Sequence, residues 1–329
     1  MSVRDLIIIG AGPSGLSAAI AARKRSLDYV VLEQGTLVNS IFRFPPQMVF
    51  FTTPELLEIG GLPFVSPFDK PTRAEALKYY RKVVDTYDLQ IAYEETVQRV
   101  EQEGDLFVIE SRDRRGVKRV REARHVVFAI GYYDHPNLLN VPGEDLPHVH
   151  HYYSEPHPYY RQRVVIVGGG NSAAEAALEM FRAGVHVTLV HRSAELKYTI
   201  KYWVRPDIEN RIKEGSVAAR FNSCVREIRP TAVVVVGRTD GAGDNVEEIP
   251  ADAVFLLTGY RADSGLMTTA GIALDEREAP VYDRQTFETN VRGLFVAGGA
   301  VAGVDTGTIF IENGRFHGEK IVEVIASRL

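Results

Sequence analysis

Two stretches of the chain carry the same arrangement of residues at the same spacing. The apolar run at 6–9 leads into Gly10-Ala11-Gly12-Pro13-Ser14-Gly15, and the run at 164–167 leads into Gly168-Gly169-Gly170-Asn171-Ser172-Ala173. The acidic Glu33 lies 23 positions beyond Gly10, and the basic pair His191-Arg192 begins 23 positions beyond Gly168. A glycine-rich turn between a buried strand and a helix N-terminus suits a pyrophosphate. Gly10 makes the tight turn, Gly12 lets backbone approach the phosphates, and Gly15 lets the helix pack close to the strand. Glu33 would accept bonds from ribose hydroxyls and repel a 2′-phosphate, whereas Arg192 would bond a 2′-phosphate bidentately. Two dinucleotide sites of opposite charge preference in one chain point to electron transfer between two nucleotide cofactors.

The acidic first site is expected to take FAD and the basic second site NADPH. The strand at 293–299 ends in Gly298-Gly299, which lets backbone pass close to a ribityl chain. A helix near Thr308 and Ile309 is expected to aim its N-terminus at the flavin and stabilise negative charge there. Pro13, Ser14, Gln34, Val97 and Gly131 complete the expected FAD contacts. Gly168, Gly170, Asn171, Ser172, Ala173, His191, Arg192 and Gly259 are the expected NADPH contacts, with Ala173 in the third glycine's place and Lys197 and Lys201 adding charge. The alternatives are structural: a plain strand–turn–helix with a surface glutamate, a solvated arginine at a strand end, and lysines on a solvated face. No side chain stands out as a catalytic acid, base or nucleophile, and hydride transfer needs none. His148, His150, His151 and His157 cluster near Pro147, but no carboxylate or cysteine completes a metal set, so none is expected. Tyr132, Tyr133, Phe50 and Phe51 would serve equally as ring-stacking residues or as core.

These residues need a scaffold of strands and helices in alternation. The pattern predicts a strand at 5–10, a helix at 14–25, a strand at 29–33 and an irregular, proline- and aromatic-rich segment at 36–70 packed on something flat. A helix over 72–87 follows, then a three-stranded meander within 90–130 laid on the parallel sheet, and a return strand at 126–130. The strand–glycine–helix–strand logic repeats over 163–258, with further strands at 220–228, 232–237 and 254–259, before a last strand at 293–299 and a helix at 307–328. The fold class is α/β, with two Rossmann-like dinucleotide-binding domains, the second inserted in the first. Residues 1–134 with 260–329 form the FAD-binding domain and 140–258 the NADPH-binding domain. The proline-rich crossings at 135–160 and 258–285 are the expected hinges.

The bulk properties are ordinary for a soluble globular protein. The chain has 329 residues, 45% hydrophobic and 25% charged, enough for two cores. A net charge of −5 gives no footprint for nucleic acid. The uncharged stretch at 6–22 is short and glycine-rich, so neither a membrane span nor a signal peptide is expected, and the default location is cytoplasmic. A single cysteine, Cys224, excludes an internal disulfide and a C-x-x-C redox pair. Lying in an expected strand, it is taken as a buried core residue.

Longer segments carry a more specific signal. The chain resembles the bacillithiol disulfide reductase (YpdA-type) family of thioredoxin-reductase-like flavoproteins in 45–61 (PPQMVFFTTPELLEIGG), 70–80 (KPTRAEALKYY), 129–137 (AIGYYDHPN), 168–178 (GGGNSAAEAAL), His191 with 200–212 (IKYWVRPDIENRI), and 308–318 (TIFIENGRFHG). The resemblance implies FAD, NADPH, a homo-oligomer and a low-molecular-weight disulfide as electron acceptor. That family usually carries a cysteine within the first glycine motif, to which a thiol-exchange role has been assigned. Ser14 stands there and cannot fill it; it is expected to donate to a pyrophosphate oxygen or cap the helix. Three alternatives stand beside this one. The chain is similar to ferredoxin–NADP reductases that lack the C-x-x-C pair, with ferredoxin or flavodoxin as acceptor. It is faintly similar to flavin monooxygenases, though Asp145 and Pro147 before His151 break their F-x-G-x-x-x-H signature. A redox-sensing flavoprotein without an efficient acceptor is the third.

Overall fold

A computed structural model describes residues 3–239, 242–304 and 306–329. The chain divides into two compact units: Met1–His135 with Tyr260–Leu329, and Pro136–Gly259. Elements are numbered along the chain. The two-residue strands β7 (His135–Pro136) and β16 (Tyr260–Arg261) fall where the chain passes from one unit to the other.

In the first unit, β1 (Arg4–Ile9) lies parallel to β2 (Tyr29–Leu32) on one side and to β6 (Lys118–Phe128) on the other. The sheet order is β3-β2-β1-β6-β5-β4, with β3 (Ile91–Ala92), β4 (Glu95–Glu103) and β5 (Leu106–Asp113), and β17 (Leu294–Val296) also on β6. Because successive side chains on a strand face opposite ways, β1 serves two cores. Leu6 and Ile8 join one, with Leu16 of α1 (Pro13–Lys24), Tyr80 of α3 (Arg73–Tyr87) and Ile321 of α8 (His317–Ala326). Ile7 and Ile9 join the other, with Phe107, Phe128 and Met267 of α6 (Ser264–Thr269).

The meander differs from the expectation of a separate layer laid on the sheet. Its third strand is β6 itself: residues 118–123 pair antiparallel with β5, and 126–128 pair parallel with β17. One long strand therefore carries both pairings along one edge. The 36–70 segment, with the short α2 (Asn39–Phe42), packs on α3. Tyr80 and Tyr87 donate their hydroxyls to the carbonyls of Leu57 and Gly60, and Phe64 stacks on Tyr79 with ring centroids 4.5 Å apart. Helix α3 starts as a capping box: Thr72 accepts from the Glu75 amide, and the Glu75 carboxylate accepts from the Thr72 amide.

The expected helix at 307–328 is broken into α7 (Ile311–Gly314) and α8. The carbonyls of Gly314 and Arg315 accept hydroxyls from Ser14 and Ser17 at 3.0 and 2.6 Å, so α1 competes for groups a continuous helix would use itself.

In the second unit, five parallel strands run in the order β11-β10-β9-β15-β8: β8 (Val149–His150), β9 (Arg163–Val167), β10 (His186–Val190), β11 (Ala218–Arg220) and β15 (Ala253–Leu256). Strand β8 falls in a stretch expected to be loop. Helices α4 (Asn171–Arg182) and α5 (Arg205–Lys213) join this unit's core. The expected strand at 220–228 is two strands, β11 and β12 (Ser223–Arg229), separated at Asn222, whose φ of 50° breaks the extended backbone. With β13 (Ala232–Thr239) and β14 (Ala242–Pro250), β12 forms an antiparallel sheet. It leaves Cys224 exposed, correcting its placement in the core. No helix among the described residues is long and apolar enough to cross a membrane.

The tightest helix contact in the first unit is between α1 and α8. A Cβ at Gly318 would lie 2.3 Å from the Ala18 nitrogen and 2.7 Å from its Cα. Gly318→Ala is therefore expected to push α8 off α1 and cost about 1–3 kcal/mol, read as a lowered midpoint in urea unfolding.

Candidate functional sites

The first glycine turn is built on close backbone approach. Gly10, at φ 105°, ends β1 where a Cβ would stand 2.4 Å from the Ala129 carbonyl oxygen, and a Cβ at Gly15 would stand 2.0 Å from the Gly10 oxygen. Gly12 is the N-cap of α1, Pro13 opens the helix, and no heavy atom lies within 4 Å of the place a Gly12 Cβ would take. The turn therefore presents an open helix end with free amides.

Glu33 stands at the end of β2, 5% exposed, and binds the turn directly. Its Oε2 accepts from the Ala11 amide and its Oε1 from the Gly35 amide, each at 2.8 Å. Burial pushes its pKa up, and the two amides pull it back. Each oxygen keeps a lone pair for a hydroxyl. Gln34 donates to Asp134 at 2.8 Å, so its amide is committed to the neighbouring loop. Val97 is buried on β4, and Gly131 follows β6 with open space at its Cα. The Cα of Gly299 faces the Tyr132 ring, where a Cβ would meet Cδ1 at 2.6 Å. Of the paired aromatics, Phe50 and Tyr133 are buried and Phe51 is exposed.

Two expectations are corrected here. Ser14 is the second residue of α1, not its cap; its hydroxyl donates to Gly314 O instead. Thr308 and Ile309 precede α7 rather than opening a helix, and a helix of four residues offers no comparable end dipole. His317 was not singled out beforehand, yet its Nδ1 accepts the Gly298 amide at 3.1 Å. Nothing in its spacing marks it; the bond arises only when α8 packs against β17.

The second turn repeats the first with different chemistry. A Cβ at Gly168 would lie 2.4 Å from Leu257 O, and Gly170 caps α4 as Gly12 caps α1. Ala173 is fully buried in the third glycine's place. His191 lies where Glu33 does in the first unit, 6% exposed, its ring against Gly169, where a Cβ would come within 2.4 Å. Burial first, then Arg192 and Lys197, push its pKa down, so it is neutral, and its Nε2 has no partner. Arg192 and Lys197 are exposed beside it. Lys201 is corrected: it is 8% exposed and its ammonium is 2.6 Å from Glu175, so its charge is already balanced. The side chain of Asn171 is engaged within its own unit. Its amide donates to Thr199 O and accepts from Lys201 N, bracing the 199–201 loop. Ser172 is exposed at the start of α4, and Gly259 ends the unit at φ 100°. Among the described residues no group of three or more His, Cys, Asp or Glu could hold a metal ion.

These features fit nucleotides: two open helix ends, each beside a turn where added side chains would clash with backbone or ring, and each with a buried acceptor at the ribose position. Comparison with known proteins agrees. Residues 7–298 match the pyridine nucleotide-disulphide oxidoreductase family. The chain is 41% identical to bacilliredoxin reductase Bdr of Bacillus subtilis, over 98% of this chain and 97% of that protein. The solved structure of bacillithiol disulfide reductase Bdr (YpdA) from Bacillus cereus is 40% identical, covers 100% of both chains, and superposes with a TM-score of 0.96. Its counterpart from Staphylococcus aureus is 38% identical over 100% of this chain and 99% of that one, with a TM-score of 0.93. The chain thus belongs to the pyridine nucleotide-disulphide oxidoreductases, as an oxidoreductase that works with FAD and NADPH.

Proposed function

We propose that the first unit holds FAD, the second holds NADPH, and the electrons pass to a low-molecular-weight disulfide of the bacillithiol class. The observation that carries the assignment of cofactors is the contrast at the ribose position. Glu33 is a carboxylate bound into its own turn, and His191 is a neutral ring beside the exposed Arg192. A carboxylate accepts from two hydroxyls and repels a phosphate; a guanidinium binds the phosphate. The names of the relatives support the acceptor. The net reaction takes NADPH, a proton and a disulfide to NADP+ and two thiols.

The chain's own residues do the holding. The Gly10–Gly15 turn and Glu33 grip the adenosine half of FAD, and the Gly298–Gly299 turn runs beside the remainder. Tyr132 lies against Gly299. Gly168, Gly170, Ala173, His191 and Arg192 grip NADPH. Bound FAD supplies the two-electron chemistry that no side chain here provides. The sole cysteine, Cys224, is exposed in the other unit and has no second thiol with which to relay electrons. The reading therefore requires a direct route from cofactor to disulfide.

Anaerobic mixing tests the acceptor. The yellow protein, reduced with one equivalent of NADPH and mixed with bacillithiol disulfide, is expected to regain its oxidised flavin absorbance rapidly. Persistence of the reduced spectrum would exclude the disulfide and turn the test to ferredoxin or flavodoxin. Arg192→Ala is expected to raise the KM for NADPH by about ten- to a hundredfold, the loss of a charged bidentate bond, while leaving that for NADH nearly unchanged. Glu33→Leu would orphan the Ala11 and Gly35 amides and cost about 2 kcal/mol or more, measured by urea unfolding of the apoprotein; Glu33→Gln, keeping one acceptor, is expected to lose less.

A further inference from the structure

Ser14 occupies a narrow place. Its hydroxyl donates to Gly314 O, and a Cβ at Gly298 would stand 2.3 Å from its Oγ, one at Gly314 3.2 Å from it. The two glycines meet behind it: a Cβ at Gly314 would lie 3.2 Å from the Gly298 Cα. Gly298 is held from the other side, by the bond from its amide to His317 Nδ1. The His317 ring is 9% exposed and stacks on Phe287 with centroids 4.2 Å apart. Thus residue 14 of the first glycine turn and residue 317 of α8 grip the Gly298 turn between them. Ser17 repeats the Ser14 device one turn further along α1, at Arg315 O.

We propose that Ser14 and His317 are a positioning pair for FAD, setting the distance between the glycine turn and the Gly298–Gly299 turn, and that position 14 carries no electrons in this chain. The inference rests on FAD lying in the first unit. Each member depends on the chemistry of one atom. A thiol at 14 would be a weaker donor to Gly314 O and a larger neighbour to Gly298. A protonated His317 would have no lone pair for the Gly298 amide.

The second dependence gives the pair a pH signature. Burial, with a smaller push from Lys320 on the same helix, lowers the His317 pKa from its ordinary 6.5 to about 4. Phe287 and the Gly298 amide, its neighbours from other elements, are uncharged. When the grip opens, the ring regains its ordinary pKa. Closure is therefore fully favoured above about pH 6.5 and weakens as the pH falls toward about 4. Burial also raises the Glu33 pKa, so the signature is the difference between His317 and a variant that does not titrate.

The test measures FAD affinity by fluorescence titration of the full-length apoprotein, and FAD release by stopped flow between pH 7 and pH 5. It uses the wild type, S14A, S14C and H317N, whose amide oxygen replaces Nδ1 as acceptor. NADPH titration of each variant checks that the chain is folded. S14A and S14C are expected to bind FAD roughly three- to tenfold more weakly, with an altered flavin circular dichroism in the visible. Release from the wild type is expected to quicken roughly tenfold or more toward pH 5; release from H317N, whatever its rate at pH 7, is expected to lack that acceleration. Wild-type affinity in S14A and S14C, or the same acid response in H317N, would overturn the pairing. A wild-type protein that takes up no FAD would instead overturn the placing of FAD in this unit.

Discussion

The carbonyl of Gly10 leaves no room for a side chain at Gly15, and the carbonyl of Ala129 leaves none at Gly10. That pair of close approaches fixes where β1 ends and how near α1 can lie to it. Every other part of the first site is placed relative to that corner. The carboxylate of Glu33 reaches the Ala11 amide because β2 pairs with β1 in a register that sets Leu32 opposite Ile9. A one-residue slip would turn Glu33 to the other face of the sheet. The helix end stays open because Gly12, with no Cβ, adds nothing to block it.

The second unit solves the same geometric problem with other residues. Leu257 O plays toward Gly168 the part that Ala129 O plays toward Gly10. The difference lies in the residue at the ribose position. Glu33 is buried and satisfied by amides, so its charge is held in place. His191 is buried and neutral, and the charge stands beside it on the exposed Arg192. A charge kept at the surface can meet a phosphate without the desolvation that a buried guanidinium would suffer.

The C-terminal segment ties the first unit together across the chain. Hydroxyls at 14 and 17 take carbonyls at 314 and 315, Gly318 admits the backbone of Ala18, and Arg315 donates to the carbonyls of Glu55 and Glu58. The first glycine turn and the Gly298 turn against it thus come from opposite ends of the sequence. That is also why a serine at 14 is informative. In this setting the position is enclosed by backbone and bonded to it, which suits a structural hydroxyl.

Much of the architecture was legible beforehand, because it rests on local rules. Strand, glycine turn and helix are neighbours in sequence, and the 23-residue step to Glu33 or His191 is the length of one helix and its return strand. Unbroken apolar runs marked β1 and β9, alanine-rich stretches after the glycine turns marked α1 and α4, and helical spacing marked α3. Long-range contacts decided the rest. Nothing local says that Ser14 bonds to Gly314, 300 residues away, that His317 accepts the Gly298 amide, or that Lys201 faces Glu175 rather than solvent. Cys224 reads as core by composition and is exposed on β12, while its strand neighbour Ser223 is buried. The helix expected at 307–328 is broken where α1 bonds to it, at Gly314 and Arg315. The sequence by itself determined the two glycine turns and the acidic and basic residues 23 positions beyond them, because both depend on residue type over short spans. Only the tertiary structure decided which polar atoms remain free for a ligand, because that depends on what the rest of the chain has already bonded.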